Sequence, residues 1–320
     1  MNGFYKIAAA TPRLRLGEPA ANAKELVRFA KEAAKDGVAA IVFPELSITG
    51  YTCGDLFFRD DALSAAESAL AAFVRETADL PIVSVVGFPE RDGNCIFNAA
   101  AVTHGGKIVG VVRKRHLPTY REYYETRQFT PAPNAEPPKV FDAGGLRFCV
   151  EICEDLWAAV PPSSIAAASG VDVVFNLSAS TDYLGKSARR REMVRQQSQR
   201  LGCAYAMACA GMGESSSDAV FGGDSMIAVG GRIAADSGLF AGEPSVVETV
   251  VDVGALRFRR RSSTSLAATD SVTEVVAIDA KLPEADQDSV SRDIMANDQI
   301  PTQTLDTGRV QVAVFLGFLI

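Results

Sequence analysis

R-F-C-V-E-I-C-E-D-L-W, residues Arg147 to Trp157, begins as a β-strand and stops abruptly. Val150 and Ile152 give it an apolar, β-branched run of the kind strands favour. Cys153 sits at the stop, and Glu154 and Asp155 follow at once. Leu156, Trp157 and Ala158, then Ile165 to Ala168 beyond two prolines, read as the start of a helix. A thiol at a strand-to-helix turn meets the positive end of a helix dipole, which favours the thiolate, the nucleophilic form of cysteine. A buried small hydrophobe is the other reading of the same residue. This stretch alone leaves both open.

Working outward, Tyr5 to Ala10 is a short apolar strand. Pro19 to Lys35 places Leu26, Phe29, Ala30 and Ala33 on one face and is followed by Gly37, which marks an amphipathic helix and its stop. Ala39 to Phe43 is a buried strand that runs into F-P-E-L-S-I-T-G-Y, carrying Glu45 onto the loop beyond its C-terminal end. Ligands of α/β sheets bind at that edge. A second helix over Leu63 to Thr77 and a strand over Ile82 to Phe88 lead to a hairpin, Ile96 to Thr103 with Ile108 to Val112. It ends in R-K-R-H-L-P and then T-Y-R-E-Y-Y-E, a loop rich in Tyr120, Glu122, Tyr123, Tyr124 and Glu125. Val140 to Phe141 pairs with Leu146 to Cys153 around Gly144-Gly145. Further strands cover Val171 to Leu177, Ala204 to Ala208, Ser225 to Val229 and Val246 to Val253. Lys186 to Leu201 is helical, with Arg189 to Arg191 read as a solvated face. Helices and strands alternate early, hairpins fall in the middle and strands dominate later. The pattern predicts an α/β fold of two sheets with helices on their outer faces, a four-layer α-β-β-α sandwich. One domain is expected over residues 1–262. Residues 263–320 read as a tail or truncated linker, polar except for Val275 to Ile278 and an apolar end from Val310.

The totals exclude several classes. Across 320 residues, 48% are hydrophobic and 22% charged, an ordinary soluble balance. A formal charge of −7 disfavours nucleic acid or an anionic membrane as partner and suits a small or neutral substrate. The six cysteines, Cys53, Cys95, Cys149, Cys153, Cys203 and Cys209, show no metal-ligand spacing, and His104 and His116 are the only histidines. Free thiols in a reducing cytoplasm are expected, with no metal site. No signal peptide is read at Met1 to Tyr5, and no apolar run reaches the roughly 20 residues that span a bilayer.

Three loops, each directly after a predicted strand, therefore offer Glu45, Lys114 and Cys153. A thiol nucleophile needs a base, and acyl transfer needs positive charge for the developing oxyanion. F-P-E-L-S-I-T-G-Y, R-K-R-H-L-P-T-Y-R-E-Y-Y-E and V-E-I-C-E-D-L-W, in that order, resemble the glutamate, lysine and cysteine motifs of the carbon–nitrogen hydrolase (nitrilase) superfamily. More narrowly, L-P-T-Y-R-E-Y-Y-E, E-I-C-E-D-L-W, N-L-S-A-S and G-E-S-S-S-D-A-V-F-G-G-D-S are similar to the glutaminase half of glutamine-dependent NAD⁺ synthetases, over about Tyr5 to Arg261. The resemblance implies a nitrilase-type sandwich with Glu45 as general base, Lys114 as oxyanion stabiliser and Cys153 as nucleophile. It implies L-glutamine binding at Tyr120, Ser180 and Lys186, with Tyr51 and Glu154 as supporting pocket residues. It also implies a homo-oligomer, and ammonia passed to a synthetase that amidates deamido-NAD. Amide hydrolysis needs no cofactor on this reading; ATP and Mg belong to the synthetase domain.

That domain's S-G-G-x-D-S loop is not found here. The nearest string, F-G-G-D-S at Phe221 to Ser225, is one residue short and reads as a turn. The ammonia acceptor is then another domain or protein. Two alternatives follow from the same residues: a free-standing amidase acting on another small amide, and a sandwich kept as an assembly module.

Overall fold

The computed structural model describes residues 3–211, 213–266 and 272–285. In chain order its elements are β1 (Phe4–Thr11), α1 (Pro19–Lys35), β2 (Val38–Val42), α2 (Asp60–Glu76), β3 (Val83–Asp92), β4 (Cys95–His104) and β5 (Lys107–Arg113). A single turn, α3 (Glu125–Gln128), leads to β6 (Lys139–Ala143), β7 (Leu146–Ile152), α4 (Pro162–Ala167), β8 (Val173–Ser178), α5 (Lys186–Leu201) and β9 (Ala204–Cys209). β10 (Met226–Val229), β11 (Arg232–Asp236), β12 (Ser245–Asp252), α6 (Val253–Ser262) and β13 (Glu274–Ile278) complete the order.

The strands form two mixed sheets. One has the order β12-β1-β2-β3-β4-β5 and the other β11-β10-β9-β8-β7-β6-β13. Ile7, Val42, Val85 and Val102 of the first pack against Val150, Phe175, Leu177 and Ala206 of the second. Phe148 lies in the same seam, stacked on Phe141 at 5.2 Å and edge-on to Phe175 at 5.4 Å. The outer face of the first sheet carries Leu26 and Phe29 of α1 with Leu70 and Phe73 of α2. The outer face of the second carries Val194 and Leu201 of α5. The result is the expected four-layer α-β-β-α sandwich. Both faces of β2 are covered, Val42 facing the opposite sheet and Ile41 the helices, so the strand reads as a continuous apolar run.

Four local features differ from the sequence reading. The segment after Cys153 is a short 3₁₀ turn, Cys153–Trp157, and α4 is a separate piece, so no long helix starts at the thiol. β11 has no counterpart in the sequence reading, because its alternation is carried by only Ile233 and Ala235 at an exposed edge. Arg190 is fully buried and not part of a solvated face. Finally, the boundary expected at residue 262 coincides with the end of α6, yet the sheet continues beyond it. Glu274–Ile278 pairs in parallel with β6 from Glu274↔Lys139 to Ile278↔Ala143. The apolar run from Val310 lies outside the described residues. Among those described, no helix is long and apolar enough to cross a membrane.

One glycine sets how closely the loop after β2 approaches the sheet. Gly87 of β3 accepts from the Ile48 amide at 3.0 Å and donates to Ser47 Oγ at 3.2 Å. A Cβ there would collide with the Leu46 amide nitrogen and lie 2.6 Å from the Pro44 carbonyl oxygen, both backbone atoms that cannot swing away. Gly87→Ala is therefore expected to destabilise the fold by about 1–3 kcal/mol and to displace Glu45. Thermal denaturation checks this: an unchanged midpoint would mean the loop has room to retreat.

Candidate active site

β2, β3 and β5 run in the same direction in one sheet, as β7, β8 and β9 do in the other, so their C-terminal ends form two rims. The rims meet at Glu45. Its Oε2 accepts the amide of Ala179, one residue beyond β8, at 2.8 Å. Its Oε1 accepts Lys114 Nζ at 2.6 Å and Asn98 Nδ2 at 2.7 Å. Lys114 leaves β5 with its amide bonded to the Asn98 carbonyl at 2.9 Å, which aims the side chain inward. Its ammonium also reaches Glu125 Oε1 at 2.6 Å, and the same oxygen accepts the Tyr51 hydroxyl at 2.8 Å. Glu45 and Lys114 are both 0% exposed.

The net effect of burial and this pairing is to shift the pKa values of Lys114 and Glu125 upward. Burial alone would lower the Lys114 pKa, but Glu125 and Glu45 together hold it well above the usual lysine range. Glu125 is pushed up to about 7, chiefly by burial, with Lys114 opposing and Glu45 adding to the rise.

Cys153 follows β7 with a φ of +46°, a left-handed conformation rare for a non-glycine residue. Asp155 holds the turn, accepting the Ile152 amide at 3.0 Å through one oxygen. Through the other it accepts the His116 amide at 2.9 Å and the Arg115 amide at 3.2 Å, tying the cysteine turn to the lysine loop. The helix dipole expected to favour a thiolate is absent. Burial instead pushes the thiol pKa well up, Glu45 adds to the rise, and Lys114 and the Ser178 hydroxyl only partly offset it. The thiol is thus held toward its protonated form.

Cys153 opens into a cavity of about 190 Å³ whose walls include Tyr120, Glu154, Ser180 and Lys186. The Tyr120 hydroxyl donates to Glu154 Oε1 at 2.9 Å. Lys186, the first residue of α5, donates to Tyr123 Oη and Thr181 Oγ1, both at 2.9 Å, and burial lowers its pKa. Arg190 Nη2 bonds Asp182 Oδ1 and Asp224 Oδ2, each at 2.9 Å, and Nη1 bonds Ser180 Oγ at 3.3 Å. Asp224 belongs to the F-G-G-D-S string, which thus serves the Arg190 cluster. Tyr51 does not line the thiol cavity. It backs Glu125 and lines a second cavity of about 180 Å³. Its amide and that of Thr52 are clamped by Glu214 at 2.7 and 3.0 Å.

Glu125, Asn98 and Ser178 are site residues to which the sequence reading gave no role. Asn98 had a legible signal, a polar residue in the apolar run of β4. Glu125 had none that separated it from Glu122 in the same loop.

The sequence pattern of the carbon-nitrogen hydrolase family matches residues 6–260. The chain belongs to that family. This carbon–nitrogen hydrolase is 40% identical over 268 residues to the glutamine-dependent NAD(+) synthetase of Mycobacterium tuberculosis, covering 79% of this chain and 39% of the relative. The synthetase of Thermotoga maritima is 35% identical over 213 residues, 66% of this chain and 36% of that one. Among solved structures, a glutamine-dependent NAD+ synthetase from Acinetobacter baumannii superposes with a TM-score of 0.72 at 27% identity, over 79% of this chain and 46% of that chain. An amidase from Nesterenkonia sp. AN1 shares the fold, with a TM-score of 0.65 at 23% identity over 80% of this chain and 97% of its own. The hydrolase thus spans about two fifths of the length of the curated relatives it matches.

Two measurements test this geometry. The Tyr51 hydroxyl stabilises the ionised Glu125 carboxylate, so Tyr51→Phe is expected to raise the Glu125 pKa beyond about 7. Protonated Glu125 holds Lys114 less well, so the acid limb of the amide-hydrolysis profile should move to higher pH; an unmoved limb would separate Glu125 from catalysis. Arg190→Met leaves Asp182 buried without its cation and Asp224 with only Arg191 at 3.5 Å, and is expected to cost about 3 kcal/mol in urea denaturation.

Proposed function

We propose that this chain is a glutamine amidohydrolase in which Cys153, Glu45 and Lys114 hydrolyse the side-chain amide of L-glutamine. The observation that carries the reading is the Lys114 ammonium held between two buried carboxylates beside a cavity-facing thiol. Cys153 Sγ attacks the amide carbon while its proton passes to Glu45, and Lys114 faces the tetrahedral oxyanion. Glu45 gives that proton to the departing nitrogen, which leaves as ammonia, and a glutamyl thioester remains. Water then attacks the thioester carbon as Glu45 takes its proton. The C–S bond breaks, its electron pair returns to sulfur, and Glu45 reprotonates the thiolate as glutamate leaves. Carboxylates, ammonium and thiol suffice for these steps without a cofactor.

The cavity supports glutamine by its charges. Glu154, with Tyr120, suits an α-ammonium, and Lys186 suits an α-carboxylate, with Ser180 on the same wall. Identity to the matching part of synthetases supports the same substrate. The ammonia would then go to a synthetase that amidates deamido-NAD, which would bring its own ATP and Mg.

Ammonia release from L-glutamine by the chain, beside Cys153→Ala, tests the reading. Release by the first and not by the second is expected, with a glutamyl adduct on Cys153 in quenched samples. Lys186→Ala should raise KM about tenfold, the loss of a charge-assisted hydrogen bond, and change kcat less. Neither ammonia nor adduct from glutamine would overturn the proposal. Turnover of another small amide in its place would make the chain an amidase of different specificity.

A further inference from the structure

Three consecutive residues at the end of β8 serve three parts of the site. The Ala179 amide holds Glu45, and Ser180 walls the cavity. Ser178, 1% exposed, turns its hydroxyl to Cys153 Sγ at 3.4 Å. Buried serines commonly spend their hydroxyl on a nearby backbone carbonyl. Ser178 directs its hydroxyl at the nucleophilic sulfur. Its backbone is pinned, with the carbonyl accepting the Ala210 amide at 2.9 Å and the residue in register with Cys209 of β9.

We propose that Ser178 is a further catalytic residue, whose hydroxyl donates to the Cys153 sulfur whenever that sulfur carries negative charge. The inference rests on the cysteine chemistry proposed above and deepens it. A hydroxyl gains little from a neutral thiol or thioester and much more from a thiolate. Charge reaches the sulfur twice, as the proton passes to Glu45 during attack and as the C–S bond of the thioester breaks. Lys114 is committed to Glu45 and Glu125 and to the carbonyl oxygen, so the sulfur needs a donor of its own. Cys209, the neighbour on the other side, is pushed up to about 12, mainly by burial, and stays a neutral thiol that competes poorly for the hydroxyl.

The test compares Ser178→Ala and Cys209→Ala in the full chain. Iodoacetamide alkylation of Cys153 is followed against pH by peptide mass spectrometry, with kcat and KM for ammonia release measured alongside. For Ser178→Ala, alkylation at fixed pH is expected to fall about tenfold, the loss of one hydrogen bond to a charged group. Its profile should move to higher pH, and kcat should fall by a similar factor with KM nearly unchanged. Cys209→Ala should leave the profile in place. An unshifted profile or faster alkylation in Ser178→Ala would overturn the proposal. So would an equal upward shift in Cys209→Ala, because packing would then explain both. Alkylation does not require glutamine, so a shifted profile in a chain that leaves glutamine intact keeps Ser178 and removes the glutamine reading. Glutamine hydrolysis with an unshifted profile does the reverse.

Discussion

The ammonium of Lys114, shared at 2.6 Å by Glu45 and by Glu125, is the interaction on which the rest of the site depends. Taking three charges out of water is costly, and the fold meets that cost with donors placed by different elements. Asn98 comes from β4, Tyr51 from the loop after β2 and the Ala179 amide from the opposite sheet. At Cys153 the nearby Glu45 carboxylate outweighs the Lys114 ammonium. Burial and Glu45 together push the thiol toward its protonated form.

A second tier of carboxylates sets where these groups stand. Asp155 gathers amides from the cysteine turn and from the lysine loop, so the thiol and the ammonium are positioned by a single side chain. Glu214 clamps the backbone of Tyr51 and Thr52 from a distant loop, holding the Tyr51 hydroxyl against Glu125. The G-E-S-S-S-D stretch, marked in the sequence only by its resemblance, acquires a physical task in this way.

Much of the layered fold was legible because both faces of its strands are buried, leaving unbroken apolar runs such as Ala39 to Phe43. Glu45, Lys114 and Cys153 each lie just past a predicted strand, but Lys114 sits between Arg113 and Arg115, and the resemblance to the three family motifs is what singled them out. The residues that were missed depend on partners far away in the chain. Arg190 looks like its neighbours Arg189 and Arg191, and only Asp182 and Asp224, brought by two other loops, make it a buried residue. Glu125 and Glu122 occupy one loop, yet the first turns under Lys114 and the second toward Thr181. The thiolate expectation failed because it assumed a helix where the chain makes a 3₁₀ turn, and because burial outweighs the nearby cation.

The antiparallel pairing of β1 with β12, from Phe4↔Asp252 to Thr11↔Ser245, has a consequence for how the chain is made. β1 leaves the ribosome ahead of the other described strands, and the strand that covers its outer side emerges only after the rest of both sheets but β13. Until then one side of β1 presents a row of unsatisfied amides and carbonyls, a template on which a stray strand can align. Pairings that span so much sequence form slowly, because loop closure must precede any gain. The sandwich therefore passes through synthesis with one side of β1 open, closed only once Ser245–Asp252 has emerged.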